Sequence, residues 1–199
     1  MQPAAAHPIL TTPDGTMFSK GDELYDKRFR ERYVVLETAR ASGGGLVRVE
    51  DTAAPGPSRR PTSAHPSQRE RFEVLAGTLE LTVDREQHLL GPGDSFTVAP
   101  GARHLPRNAG DGELRFVAEM RPAGRFEEFL AQITAVNNSG REGLRYVLTV
   151  ARVLNRFPDV EHPTPLPRWL ERALFAILAA GGKLLGLGIP PSRPPQPEE

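Results

Sequence analysis

The stretch SAHPSQRERFEVLAG, Ser63 to Gly77, sets an imidazole and a carboxylate, His65 and Glu70, at the head of what reads as a strand. These two side-chain types ligate divalent transition metals, and they also exchange protons as general acid and base. On an extended chain Glu70, Phe72 and Val74 point one way while Arg71, Glu73 and Leu75 point the other. If Phe72 and Val74 face a protein interior, Glu70 faces it too, and a carboxylate there needs a partner or a metal. His65 and Glu70 have opposite parity, so a bend between them is required to bring both inward, and Pro66 can supply it. The plainer alternative is an interior hydrogen-bonded pair with no metal.

The surrounding elements must do the positioning. From about Tyr33 to Met120 the pattern predicts short β-strands: YVVLETA and LVRVED around the loop RASGGG, then RFEVLAGTLELTVD, split at Ala76–Gly77. Leu79, Leu81 and Val83 alternate with Thr78, Glu80 and Thr82, the signature of a half-buried strand. Three further runs in LLGPGDSFTVAPGARHLPRNAGDGELRFVAEM complete an antiparallel sandwich or barrel. Beyond Pro122 the period becomes helical. Phe126, Phe129, Leu130 and Ile133 share one face, and Leu144, Val147, Leu148, Ala151 and Leu154 share another. A third helix, about Arg168 to Leu185, is apolar over more than one face. The expected organisation is a poorly ordered tail over 1–20, a β-barrel over 21–121, a helical extension over 122–189 and a Pro-rich disordered tail over 190–199.

Composition removes several function classes. Twenty-five basic and 25 acidic residues cancel, which argues against nucleic acid as a partner, since phosphate binding needs clustered positive charge. No cysteine is present, so thiolate chemistry, disulfides and iron–sulfur clusters are excluded. MQPAAAHPILTTPDG lacks the basic start and apolar run of a signal peptide. ALFAILAAGGKLLGLGI is interrupted by Gly181–Gly182 and Lys183, short of the roughly 20 apolar residues a membrane span needs. A soluble, cytoplasmic protein is expected.

The region from about Gly21 to Met120 resembles the cupin superfamily, a small jelly-roll barrel with two sequence motifs at its mouth. In the first motif Glu70 and Gly77 fit, His65 takes the second histidine position, and Ser63 stands where the first histidine would be. In the second, GDSFTVAPGARHLPRN supplies Gly93, Gly101, His104 and Asn108, with Ala99 where proline is usual. HPSQRERFEVLAGTLEL and RPAGRFEEFLAQI also look like a bacterial subgroup of single-domain cupins with C-terminal helices. The resemblance implies a mainly β, cupin-type (double-stranded β-helix) barrel with about three C-terminal α-helices, commonly paired as a homodimer. It also implies a site in which His65, Glu70 and His104 are the metal ligands. Two histidines and one carboxylate suit iron(II), with manganese, nickel, copper or zinc also accepted. Ser63 adds at most a weak neutral ligand or holds a water.

The leading expectation is a metal-dependent small-molecule enzyme, an oxygenase or a cyclase/isomerase, acting on an apolar or aromatic metabolite. Phe72, Val74, Ser63, Phe96 and Phe116 are the expected substrate contacts, and no organic cofactor is expected. Without a metal, Glu70 or His104 would act as general acid/base, with burial raising the carboxylate's pKa. The alternative is a non-catalytic binding module. His7, His88 and His162 read as surface residues, and Arg59, Arg60 and Arg69 as a solvated rim. Glu127–Glu128 reads as a helix-start charge pair. Trp169, Leu174, Phe175, Ile177 and Leu178 need a burial partner, expected to be the barrel or a second subunit; the rivals are a lid over the substrate or peripheral membrane contact through 168–190.

Overall fold

The computed structural model describes residues 18–56 and 60–190. The expected tails fall almost wholly outside these residues, as do His7 and Arg59. The strands are β1 (Glu23–Asp26), β2 (Glu31–Glu37), β3 (Val47–Ala53), β4 (Arg69–Ala76), β5 (Leu79–Val83), β6 (Glu86–Leu90), β7 (Ser95–Val98), β8 (His104–Asn108) and β9 (Leu114–Arg121). A six-stranded sheet runs β1-β2-β3-β9-β4-β7 and a three-stranded sheet runs β6-β5-β8, with antiparallel pairing throughout. The architecture is mainly β with three C-terminal helices, as the strand and helix patterns predicted, and of the two forms the strand spacing left open it is the barrel.

Alternation closes the barrel. Val47, Val49, Asp51 and Ala53 of β3 are buried, as are Glu70, Phe72 and Val74 of β4, while their neighbours are not. Phe72, Val74, Leu114 and Phe116 of the large sheet pack with Leu79 and Leu81 of the small one, so the core lies between the sheets. β1 carries only Leu24 and Tyr25 as apolar residues, too little for a pattern to register. It is joined to β2 by a turn in which Asp26 Oδ1 accepts the N–H groups of Arg28 and Phe29, each at 3.0 Å. Gly77 separates β4 from β5 with φ +81°; a Cβ there would stand 2.7 Å from Glu113 O. Both the left-handed backbone and the close approach require glycine.

The extension comprises α1 (Phe126–Asn137), α2 (Gly143–Arg156) and α3 (Arg168–Leu184). Phe129, Val136, Val153, Leu154, Phe157 and Val160 form its core, with Phe175 at the edge. Glu127 and Glu128 fall in the first turn of α1, as expected, but no side chain caps the helix by a hydrogen bond. Glu127 is buried and accepts the Ala39 N–H, while Glu128 pairs with Arg125 and Arg156. α3 packs on α2 rather than on the barrel, and Trp169, Ile177, Leu184 and Leu185 remain exposed, as do Leu144 and Val147 of α2. No helix among the described residues is long and apolar enough to cross a membrane.

The loop between α2 and α3 straps the extension to the barrel. His162 N–H donates to Ala64 O at 2.9 Å, and the Arg103 guanidinium donates to Thr164 O at 2.6 Å and Pro163 O at 3.0 Å. Glu171 of α3 accepts from Thr164 N and from the His162 ring. His162 is therefore partly covered, and His88 is half-buried against Phe96 with ring centroids 4.3 Å apart.

Candidate functional site

Three segments converge inside the barrel. A bend at Pro66–Ser67 precedes β4 and turns His65 inward beside Glu70. His104 opens β8, held by a two-way backbone bridge to Ser63, with N–O distances of 2.8 and 2.9 Å. His65 Nε2 lies 3.2 Å and His104 Nε2 2.7 Å from Glu70 Oε2, and all three residues are buried. Their ligand atoms lie within 4.8 Å of one another.

The outward nitrogens decide what the inward ones offer. His65 Nδ1 donates to Val160 O at 2.7 Å and His104 Nδ1 to Ala102 O at 3.1 Å. A carbonyl oxygen only accepts, so each neutral ring keeps its Nε2 lone pair facing Glu70. Two lone pairs and a carboxylate repel unless a proton or a cation stands among them. Glu70 Oε2 is buried and makes no hydrogen bond of acceptable geometry among the described residues. This donor set fits a divalent transition metal. Without one, a proton takes that place. Burial lowers the His65 pKa, but the adjacent Glu70 carboxylate and the negative charge of Glu161 outweigh it and push the ring up to about 9.

Glu70 does not become the neutral acid expected of a buried carboxylate. Burial does push its pKa up, but His104 and His65 outweigh that and hold the carboxyl far below the usual range. The raised carboxyls are elsewhere. Asp51 is pushed up to about 8, by burial first and, against the pull of Arg60, by the charge of Glu31. Glu161 is also raised, by burial, with His65 and His104 opposing.

A cavity of about 110 Å³ joins these groups. Its wall includes His65, Glu70, His104 and Ser63 and also Tyr33, Asp51, Arg60, Phe116, Phe126 and Glu161. Of the expected substrate contacts, Ser63 and Phe116 line it. Phe72 and Val74 lie in the core between the sheets, and Phe96 packs against that core. Arg60 is not a solvated rim residue. It reaches Glu31 and Asp51 and donates to Tyr33 Oη at 2.8 Å, and Asp51 Oδ2 is 2.7 Å from it; Arg69 is exposed. Asp51 could have been found from sequence, since it shares the inward parity of Val47 and Val49. Glu161 carried no signal, because it sits in a non-periodic loop after Pro158.

Residues 49–118 match the family model described as Cupin domain. The barrel is a cupin domain. No curated protein matches the chain significantly. Among solved structures, the cupin is similar to an RmlC-like cupin from Shewanella frigidimarina, at 21% identity over 55% of this chain and 91% of that one, TM-score 0.46. It is similar to KdgF from Halomonas sp., at 18% identity over 51% and 86%, TM-score 0.43. A sugar phosphate isomerase from Silicibacter pomeroyi matches at 22% over 50% and 68%, TM-score 0.41. In this cupin, Val160 and Glu161 reach the barrel site from the helical extension, outside the matched residues.

Proposed function

We propose that this cupin is a metal-dependent enzyme that moves a proton on a small-molecule substrate, within the cyclase/isomerase class rather than the oxygenase class. The observation that carries this reading is a buried acid, Asp51, lining the same cavity as the His65–Glu70–His104 cluster, with its pKa pushed up to about 8. His65 Nε2, His104 Nε2 and Glu70 Oε2 would hold the ion, and Val160 O and Ala102 O fix both rings in the ligating tautomer. When bound, the ion supplies Lewis-acid polarisation of a substrate oxygen. Asp51 Oδ1 is buried without a hydrogen-bond partner among the described residues, while Oδ2 is held by Arg60. The carboxyl is thus fixed in place with one oxygen left to exchange a proton. Phe116, Phe126, Phe129 and Leu130 are among the apolar residues of the wall, which limit water.

The second reading, a non-catalytic binding module, is favoured by one observation: a protonated His65 satisfies Glu70 with no metal. Metal content separates the two. After supplementation of purified protein with iron(II), manganese, nickel, copper and zinc in turn, the enzyme reading expects about one ion per chain for at least one of them. Less than about a tenth of an equivalent of every metal would leave the binding module.

A further inference from the structure

The inner cavity is small for a small-molecule site. Small-molecule sites usually span about 300–1,000 Å³, and the inner cavity is about 110 Å³. A second chamber of about 420 Å³ lies against it, and Arg60, Pro61, Ser63, Phe129 and Glu161 line both. Ser63 is therefore part of their common wall, at the position where the first motif would carry a histidine. A hydroxymethyl group there leaves space that an imidazole would fill.

The outer chamber is built by the helical extension. Ile133 and Asn137 come from α1, Tyr146, Val150 and Leu154 from α2, and Phe29 from the β1–β2 turn. Its wall is mainly apolar, with Arg28 set into it beside Asp26, and with Arg60 and Glu161 on the side shared with the inner cavity. The Arg28 guanidinium lies over the Tyr146 ring, 3.8 Å from its centroid, and one amino group donates to Arg141 O at 3.2 Å. Arg28 Nε is buried without a hydrogen-bond partner, and no carboxylate lies within ion-pair distance of the guanidinium among the described residues. The nearby Asp26 is already committed: its oxygens accept from the Arg28 and Phe29 N–H groups and, at 2.6 Å, from Asn137. A part-buried cation of this kind lacks the anion that would compensate its desolvation.

We propose that the two cavities form one site, and that its ligand is a small-molecule carboxylate with an apolar body and a second oxygen function. The carboxylate sits at Arg28, the body lies among Phe29, Ile133, Val150 and Leu154, and the second oxygen passes Ser63 to reach His65, Glu70 and His104. Only that last contact rests on the metal-centre reading. The helical extension then sets substrate length and charge, while the barrel supplies the chemistry.

Calorimetric titration of the full chain with ω-hydroxycarboxylates of increasing length, beside α,ω-diols of the same lengths, tests this. Affinity for the hydroxycarboxylates should rise about fourfold per added methylene until the chamber is full, the factor equivalent to burying one methylene. Each diol should bind at least about tenfold more weakly than its matching acid, the loss of a charge-assisted contact. Arg28→Gln should abolish the preference for the acid, and Val150→Trp should abolish the gain with length. Both variants should keep the metal content and melting temperature of the parent. A length series with no gain, or an acid preference that survives Arg28→Gln, overturns the proposal even where the chain takes up its metal. A length-dependent, Arg28-dependent series in a chain that takes up no metal upholds the chamber and removes only the metal-centre reading.

Discussion

At the scale of residues, the site is governed by where protons sit among buried groups. His65 is raised to about 9, above the roughly 6.5 of an unfolded histidine, so in metal-free protein its pairing with Glu70 stabilises the fold fully below about pH 6.5. That contribution is lost as pH rises through 9. Asp51 acts in the same direction for a different reason. Its folded pKa of about 8 exceeds the unfolded value near 3.9, so ionising it in place costs stability as pH rises through the interval between them. The metal-free protein should therefore melt at progressively lower temperature from about pH 6.5 to 9. Asp51→Asn should flatten the part of that decline below about pH 8, and saturating metal should flatten the part due to His65. A melting temperature constant across this range in the parent protein would contradict both assignments. Glu70→Gln removes the charge that holds both imidazoles. Breaking a buried pair of this kind costs about 3–5 kcal/mol, measurable by chemical denaturation, and metal uptake should be lost with it.

At the scale of elements, β4 and the turn after it carry most of the positioning. β4 presents Glu70 to the site and Phe72 and Val74 to the core by strict alternation, so a one-residue slip would turn the carboxylate to solvent. Gly77 fixes where the strand ends. Gly77→Ala should destabilise the protein by about 1–3 kcal/mol, through its left-handed backbone and the approach of Glu113 O, as read from denaturant midpoints. An unchanged midpoint would mean the turn can relax. α3 is the contrasting element. Ile177 is 70% exposed and lies on a helix whose packing partner is α2, so Ile177→Lys should change stability by no more than about 0.5 kcal/mol. A larger loss would show that this face is covered.

At the scale of the whole molecule, the strap between α2 and α3 makes barrel and extension a single functional unit. Val160 O sets the tautomer of His65, and Glu161 adds a buried carboxylate to the cavity. Truncation before Pro158 should therefore weaken metal binding about 10- to 100-fold, the usual cost of removing a partner that orients a ligand, even though His65, Glu70 and His104 all remain. Calorimetry on the truncated chain would check it, with circular dichroism to confirm that the strands persist. Much of this plan was legible in sequence because it is periodic: the β4 alternation and the three helices. The β1 strand was not legible, with two apolar residues and no turn signal. Arg60 and Glu161 were not either, since both enter the site from irregular segments whose path is set by tertiary contacts. Asp51 was visible by parity among valines, but an interior acid gains chemical meaning only once the opposite wall is known.

The most direct measurement is X-ray absorption on the metal-loaded protein, counting the imidazoles bound to the ion in the parent and in His65→Ala and His104→Ala. Two imidazoles in the parent and one in each variant would establish the His65–Glu70–His104 centre. An ion bound by oxygen alone, or an imidazole count unchanged by both substitutions, would contradict it.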